Sequence, residues 1–307
     1  MSLSPSRPPL HGLVAATHTP FHDDGSLNLD AVEKQCEHLL ANGVIAAFIG
    51  GTTGESASLT CDERRLLADR WVAAARGTAL RIVVHVGANC LADARALARH
   101  ADSLEVDAIS ALAPSYFKPR SLDLLIQSMA EVAGAAPRTP FYFYDIPAMT
   151  GVSVSMADFL GQSQHRIPTL AGLKFTNSDL MAYQTCLRAE QGRWDIPWGI
   201  DEYLLGALAL GARGAVGSTY NFCGPIANRT IAAFEAGDLA AAREEQYRSV
   251  QVIQLLSSIG YMAAAKATMT LLGIPVGPPR LPNASLTPQQ QAELRGRLES
   301  IGFFEWL

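Results

Sequence analysis

Lys174 is the residue whose type and setting first suggest chemistry, in the stretch Leu170-Ala-Gly-Leu-Lys-Phe-Thr176. Read as a strand, its side chains alternate between two faces. Ala171, Leu173 and Phe175 make one apolar face suited to packing on helices, and Lys174 shares the other with Gly172 and Thr176. A lysine turned inward loses hydration, which disfavours its charged form. A neutral amine attacks a ketone and forms a Schiff base. The alternative is a structural lysine paired with a carboxylate. Upstream, Pro140-Phe-Tyr-Phe-Tyr-Asp-Ile146 turns Tyr142 and Tyr144 inward. A phenol at a strand end can shuttle protons; it can also be a packed aromatic with a satisfied hydroxyl, which suits Tyr142 better than Tyr144.

Three further stretches carry polar groups. Gly50-Gly-Thr-Thr-Gly-Glu55 joins glycines, which let backbone approach a ligand, to the hydroxyls of Thr52 and Thr53. That combination can cradle a carboxylate, or it is an ordinary Gly-rich turn. It lacks the Gly-Lys-Ser/Thr ending of a P-loop. Trp198-Gly-Ile-Asp-Glu202 sets Asp201 beside Glu202. Adjacent carboxylates accept hydrogen bonds from sugar hydroxyls, or serve as a helix cap and first-turn acid. Gly217-Ser-Thr-Tyr-Asn221 is a polar end on a small-residue strand. His18 and His22 lie four apart, but on a strand and the turn after it, so no zinc set is expected among the seven histidines.

These groups need elements to position them. The apolar runs predict eight strands: Leu13–Phe21, Ile45–Gly51, Arg81–Gly87, Ala108–Pro114, Pro140–Ile146, Leu170–Thr176, Ile196–Asp201 and Gly214–Tyr220. Ala/Leu-rich stretches at Asp30–Asn42, Asp62–Arg76, Ala92–Ala101, Leu122–Ala135 and Asp179–Glu190 read as the helices between them. Thr60-Cys-Asp-Glu63 has the capping-box form, and Asn177-Ser-Asp179 opens another helix. Alternating strands and helices imply parallel strands with right-handed crossovers. No G-x-G-x-x-G follows the first strand, so a closed α/β (β/α)8 TIM barrel is preferred to a dinucleotide-binding sheet. Catalytic groups of such a barrel sit at the C-terminal ends of its strands.

After Tyr220 the alternation stops, and Pro225–Ala236, Leu239–Ser258, Tyr261–Leu272 and Pro288–Ile301 read as helices. The expected organisation is a flexible arm over residues 1–10, a catalytic barrel over 11–236 and a C-terminal helical extension over 237–307. Gly273–Pro282, with four prolines, reads as a linker inside that extension.

Hydrophobic residues make up 49% of the 307 and charged residues 17%, which suits a core-rich chain that buries surface in an oligomer. A net charge of −5 with no Lys/Arg run argues against nucleic acid as a partner. No apolar run is long enough for a membrane span, and the Ser/Pro-rich start lacks an apolar h-region. Five cysteines without paired spacing (Cys36, Cys61, Cys90, Cys186, Cys223) point to a reducing compartment, the cytoplasm.

Gly50-Gly-Thr-Thr-Gly-Glu55, Tyr144-Asp-Ile-Pro-Ala-Met-Thr-Gly151 and Gly172-Leu-Lys174, in that order, resemble the N-acetylneuraminate lyase/dihydrodipicolinate synthase superfamily. The likeness runs from about Leu13 into the C-terminal helices. It implies a class I aldolase or dehydratase on a barrel, a homotetramer, with no metal or organic cofactor and a 2-oxo acid as small-molecule substrate. It assigns Lys174 as the Schiff-base lysine, Tyr144 as the general acid/base, Thr52 and Thr53 as the pyruvate-carboxylate site and Thr53 also as a proton relay. Tyr116, in Pro114-Ser-Tyr-Phe-Lys118, matches a tyrosine that the synthases contribute catalytically across a subunit interface.

The stretches from Lys174 to Asp179, Trp198 to Glu202 and Gly214 to Asn221 are most similar to the lyase branch. There the matching residues, Gly199, Asp201, Glu202 and Ser218, hold the sugar's hydroxyl chain. Synthases usually carry arginine where this chain has Met149, and methionine cannot donate to a carboxylate. Two departures stand out: Thr52 where many lyases have serine, and Asp145 where Asn or His is commoner. The resemblance thus implies cleavage of N-acetylneuraminate to N-acetylmannosamine and pyruvate. The rivals are a 2-keto-3-deoxy sugar acid aldolase or dehydratase, dihydrodipicolinate synthase, and a non-catalytic sensor that binds a 2-oxo acid.

Overall fold

In a computed structural model, which describes residues 8–307, seven parallel strands form one sheet. They are β1 (Gly12–Ala16), β2 (Ala46–Ile49), β3 (Arg81–His85), β4 (Ala108–Leu112), β5 (Phe141–Asp145), β6 (Leu170–Phe175) and β7 (Gly214–Gly217), in the order β6-β5-β4-β3-β2-β1-β7. The predicted strand Ile196–Asp201 is not a regular one. Pro197 has no N–H to give to a ladder, and a 3-10 turn takes over at Asp201–Tyr203. The 195–199 segment still closes the ring. Asp195 and Pro197 carbonyls accept from Leu173 and Phe175 on β6, at 3.1 and 3.0 Å. On its other side Trp198 N donates to Gly214 O at 2.9 Å, and Val216 N to Trp198 O at 2.7 Å. The fold is therefore a TIM barrel whose eighth stave is held by bridges.

Every strand ends earlier than its apolar run. The tails Thr17–Phe21, Gly50–Glu55 and Ser218–Asn221 leave the ladder as loops or a 3-10 turn at the C-terminal mouth, where polar side chains are free to face a ligand. One expected face is also wrong. The register between β5 and β6 slips at Phe141/Tyr142, so that Tyr142 pairs Gly172 and Tyr144 pairs Lys174. Ala171 is the extra residue and packs against the apolar interior cluster, not outward with Leu173 and Phe175.

The helices follow their predicted starts. Thr60 caps Cys61–Ala75 in a complete capping box with Glu63, and Asp179 caps Leu180–Arg188 through Ala182 N. Met156–Ser163 and Leu204–Leu210 are helices that the pattern alone did not single out. An outer apolar layer between strands and helices includes Leu13, Ile49, Trp71, Leu97 and Phe175. An inner cluster fills the barrel with Val14, Ala46, Phe48, Val83 and Val216.

The C-terminal helices Leu239–Ile259, Tyr261–Leu271 and Pro288–Ser300 build a core of their own around Val252, Leu256, Met269, Leu294 and Phe303. Phe222, Cys223 and Ile226 at the end of the barrel reach into it. Of the expected arm, residues 1–7 lie outside the described residues. Pro8 to Leu10 are tied down: Arg81 donates to the Pro8 and Pro9 carbonyls, and Leu10 N donates to Asp195 at 2.6 Å. No helix among the described residues is long and apolar enough to cross a membrane.

Candidate active site

A cavity of about 530 Å³ opens at the C-terminal mouth of the barrel. It gathers Thr52, Thr53, Tyr144, Lys174, Gly199, Asp201, Glu202 and Ser218 from five different strand ends. Lys174 is only 4% exposed. Its Nζ lies 4.1 Å from the Phe48 ring centroid and 4.0 Å from that of Tyr144. Among the described residues no carboxylate pairs with it, so the structural alternative of a lysine neutralised by an acid does not hold. The chain does contain such a lysine, Lys266, which is ion-paired to Glu55.

The Tyr144 hydroxyl lies 3.3 Å from Thr52 Oγ1, which links the phenol to the glycine-rich loop. Its ring meets those of Phe48 and His85 edge-on, at 5.7 and 6.0 Å. Burial holds His85 well below its ordinary pKa, so the ring is neutral. Its Nδ1–H donates to Gly50 O at 2.9 Å and fixes the first residue of the loop. Tyr142, by contrast, donates its hydroxyl to Asp195 at 2.7 Å, away from the mouth, as a packed aromatic with a partner.

The two carboxylates that line the cavity differ. Asp201 is buried, and its Oδ2 accepts from Thr219 N at 2.8 Å and Thr219 Oγ1 at 2.6 Å. Burial raises its pKa to about 6 against the pull of those two donors. Asp201 thus organises the end of β7, and Oδ2 has little left for a ligand. Glu202 is half-buried, and its carboxylate has no hydrogen-bond partner among the described residues, leaving it open to donors in the cavity. Gly217 is a glycine because a Cβ there would meet Asp201 Oδ2 at 2.5 Å and Oδ1 closer still. Gly199 is one because a Cβ would lie 2.9 Å from Phe175 O and closer to Thr176 Oγ1.

The extension completes the wall. Ile253, Ser257, Tyr261 and Met262 line the cavity, and the Tyr261 hydroxyl lies 2.6 Å from Ser218 Oγ. The sequence reading missed all four. Ile253 and Ser257, four apart, share one face of the helix Leu239–Ile259, and Tyr261 and Met262 open the next helix after Gly260, but these residue types form no motif. Thr176 also lines the cavity, with its buried hydroxyl unpartnered. Tyr116 is not brought to this cavity by its own chain: it is 78% exposed and stacks edge-on with Phe117. Met149 is 64% exposed and does not line the cavity either. Asp145, beside Tyr144, is pushed up to about 6 by burial and accepts from Asn177 Nδ2 at 3.3 Å. Among the described residues no group of three or more His, Cys, Asp or Glu converges as a metal site.

The family model described as the dihydrodipicolinate synthetase family matches residues 9–301. The chain belongs to that family. Within it, the chain is 42% identical to N-acetylneuraminate lyase of Mus musculus, over 96% of this chain and 93% of the relative. Among solved structures it superposes on the N-acetylneuraminate lyase of Proteus mirabilis with a TM-score of 0.94 at 40% identity, covering 96% of this chain and all of that one. The N-acetylneuraminate lyase (sialic acid aldolase) of Aliivibrio salmonicida gives 0.94 at 42%, over 96% and 98%.

Proposed function

We propose that the protein is a class I lyase that cleaves N-acetylneuraminate to N-acetylmannosamine and pyruvate through a Schiff base on Lys174. The observation that carries this is the cavity itself. Lys174 is the only Lys or Arg among its described lining residues; its Nζ lies against the Tyr144 ring, the Tyr144 hydroxyl meets Thr52, and Glu202 and Asp201 line the same cavity. A substrate with one carboxylate, a ketone next to it and a polyol tail fits that set of groups. An aldehyde partner that brings a carboxylate of its own, such as aspartate semialdehyde, would meet Glu202 with no guanidinium among the described lining residues to bind it.

In the proposed reaction, neutral Lys174 attacks the C2 ketone of the open-chain sugar acid, and loss of the oxygen as water, with Tyr144 giving the proton, leaves the protonated imine and a Tyr144 phenolate. That phenolate takes the proton from the C4 hydroxyl as the C3–C4 bond breaks. The bonding electrons flow into the imine to give an enamine, and the aldehyde of N-acetylmannosamine leaves. Protonation at C3 and hydrolysis then release pyruvate and free Lys174. Thr52 and Thr53 hold the carboxylate, and Thr53 relays protons. Gly199, Glu202, Ser218 and the Asp201-ordered loop receive the hydroxyl chain. The chemistry asks for no metal or organic cofactor.

The same proposal includes a cytoplasmic homotetramer. All five cysteines are free. Tyr116 and Phe117, 78% and 86% exposed, offer a surface for a second copy. The test of function is a substrate panel read by pyruvate release, with borohydride reduction in the presence of pyruvate as its covalent arm. Release from N-acetylneuraminate and an adduct mapped to Lys174 are expected. Release only from 2-keto-3-deoxy sugar acids, which share the carboxylate–ketone–polyol pattern, would move the activity to that class. No adduct, or one on another lysine, would overturn the mechanism.

A further inference from the structure

A fully satisfied buried charge lies outside the cavity. Lys266, on the helix Tyr261–Leu271, has no exposed surface. Each of its three N–H groups has an acceptor: Thr19 O at 2.9 Å, Pro278 O at 2.9 Å and Glu55 Oε1 at 3.1 Å. Burial pulls the ammonium down to about 8, with Glu55 opposing the shift, so it is charged at neutral pH. The other Glu55 oxygen, Oε2, accepts from Arg280 N at 2.8 Å.

Glu55 is the last residue of Gly50-Gly-Thr-Thr-Gly-Glu55, and its φ of 54° is a left-handed conformation that disfavours a side chain. The position keeps glutamate at that cost, and the carboxylate is what the surroundings use. Lys266 holds this loop twice: directly through Glu55, and through Thr19, whose Oγ1 donates to Gly54 O at 2.7 Å. His85 fixes the opposite end at Gly50 O. Between the two anchors lie Thr52 and Thr53, facing the cavity. The proline-rich stretch that reads as a linker is part of the anchor, since Pro278 and Arg280 belong to it.

We propose that Lys266 and Glu55 are positioning residues that set, from outside the cavity, where the Thr52–Thr53 loop holds the substrate carboxylate. The proposal rests on the Schiff-base reading above. It makes the extension a working part of the site: one helix contributes Tyr261 to the sugar end and, five residues on, Lys266 to the carboxylate end.

The test compares two carbonyl probes in the full-length protein. Pyruvate carries the carboxylate; hydroxyacetone is an uncharged ketone without it. Borohydride trapping on Lys174 is titrated with each probe in wild type, Lys266→Met, Glu55→Gln and the Glu55→Gln/Lys266→Met double variant, with folding checked by circular dichroism. The double variant leaves neither charge alone, which protects the test if a single variant does not fold. Loss of anchoring by a fraction of an ångström should raise the half-saturating pyruvate concentration about 10-fold while hydroxyacetone trapping changes less than about 2-fold. KM for N-acetylneuraminate should rise more than kcat falls. Equal losses for both probes, or no loss for either, would overturn the positioning role. Absence of pyruvate trapping in wild type would instead remove the Schiff-base reading itself.

Discussion

Gly217→Ala separates the two halves of the proposed reaction. A Cβ at 217 would lie 2.5 Å from Asp201 Oδ2 and closer to Oδ1 and Cγ. Ordinary contact is roughly 3.5 Å, so the carboxylate must recede by more than about 1 Å. Oδ2 now sits 2.8 and 2.6 Å from Thr219 N and Oγ1. A retreat of that size puts both donors beyond hydrogen-bond distance. Two charge-assisted bonds at about 1.5–3 kcal/mol each bound the local loss at ~3–6 kcal/mol. A misplacement of ~1 Å is enough for a roughly 100-fold loss of kcat/KM with N-acetylneuraminate, about 2.7 kcal/mol of transition-state binding. The 3-10 turn Thr219–Asn221 and Ser218 would be released, whereas Lys174, Tyr144 and the Thr52–Thr53 loop come from other strands. Pyruvate trapping by borohydride should therefore stay within about 3-fold of wild type, since none of its contacts has moved. Coupled NADH oxidation measures pyruvate release, and mass spectrometry of the reduced adduct measures the imine. Unchanged turnover would show that Asp201 does not organise the sugar end. A parallel fall in both readouts would show that it supports the whole mouth.

Lys174→Ala should abolish both turnover and the borohydride adduct while the melting temperature holds or rises, because a buried polar amine without a carboxylate partner is removed. Tyr144→Phe should lower kcat about 10²–10⁴-fold, the range for a lost general acid/base, yet still trap pyruvate on Lys174. Asp145 and Asp201 both have folded pKa values near 6, above the ordinary 3.8. Between about pH 4 and 6 the folded chain therefore holds more protons than the unfolded one, and these two groups make stability fall as pH rises through that window, on the order of 2–3 kcal/mol each. His18 and His85, held below their ordinary pKa by burial, give the opposite slope over the same range, so the test is the difference between Asp145→Asn and wild type in urea unfolding at pH 5 and 7.5. The variant should lack the Asp145 share, and a variant with the wild-type slope would refute the assignment.

Much of the barrel was legible because its signals are local. The capping box at Thr60, the Asp179 cap and the apolar runs each act over a few residues. The parts that were not legible depend on partners distant in sequence. The stave at 195–199 reads as a strand from its apolar residues, but Pro197 and the turn at Asp201 limit it to bridges on β6 and β7. The outward face assigned to Ala171 failed because a register slip between β5 and β6 is a property of the pair, not of either strand. Alternation still placed Lys174 correctly, because the slip lies N-terminal to it and the pairing of Tyr144 with Lys174 is restored beyond the irregularity.

The candidate site divides in the same way. Residues at strand ends could be found from the chain alone, since strand position and barrel geometry together put them at the mouth. Asp201 and Glu202 were found as a pair, but their division of labour was not: which carboxylate is spent on Thr219 and which stays open depends on where β7 turns. Tyr261, Ser257 and Lys266 were invisible for a different reason. They lie on helices whose apolar pattern explains most of their residues, so a polar position among them reads as an exposed face until the packing shows otherwise. Gln246 on the helix Leu239–Ile259 is a further case, since its Nε2 donates to Asp201 O at 3.2 Å and its Oε1 accepts from Leu205 N at 2.8 Å. These contacts set the extension against Asp201 and Ser218 through Gln246 and Tyr261 and against the 50–55 loop through Lys266. An appendix that only added stability would have no reason to put its polar side chains at those two places. The physical boundary of the site therefore lies outside the barrel, in the helices that follow it.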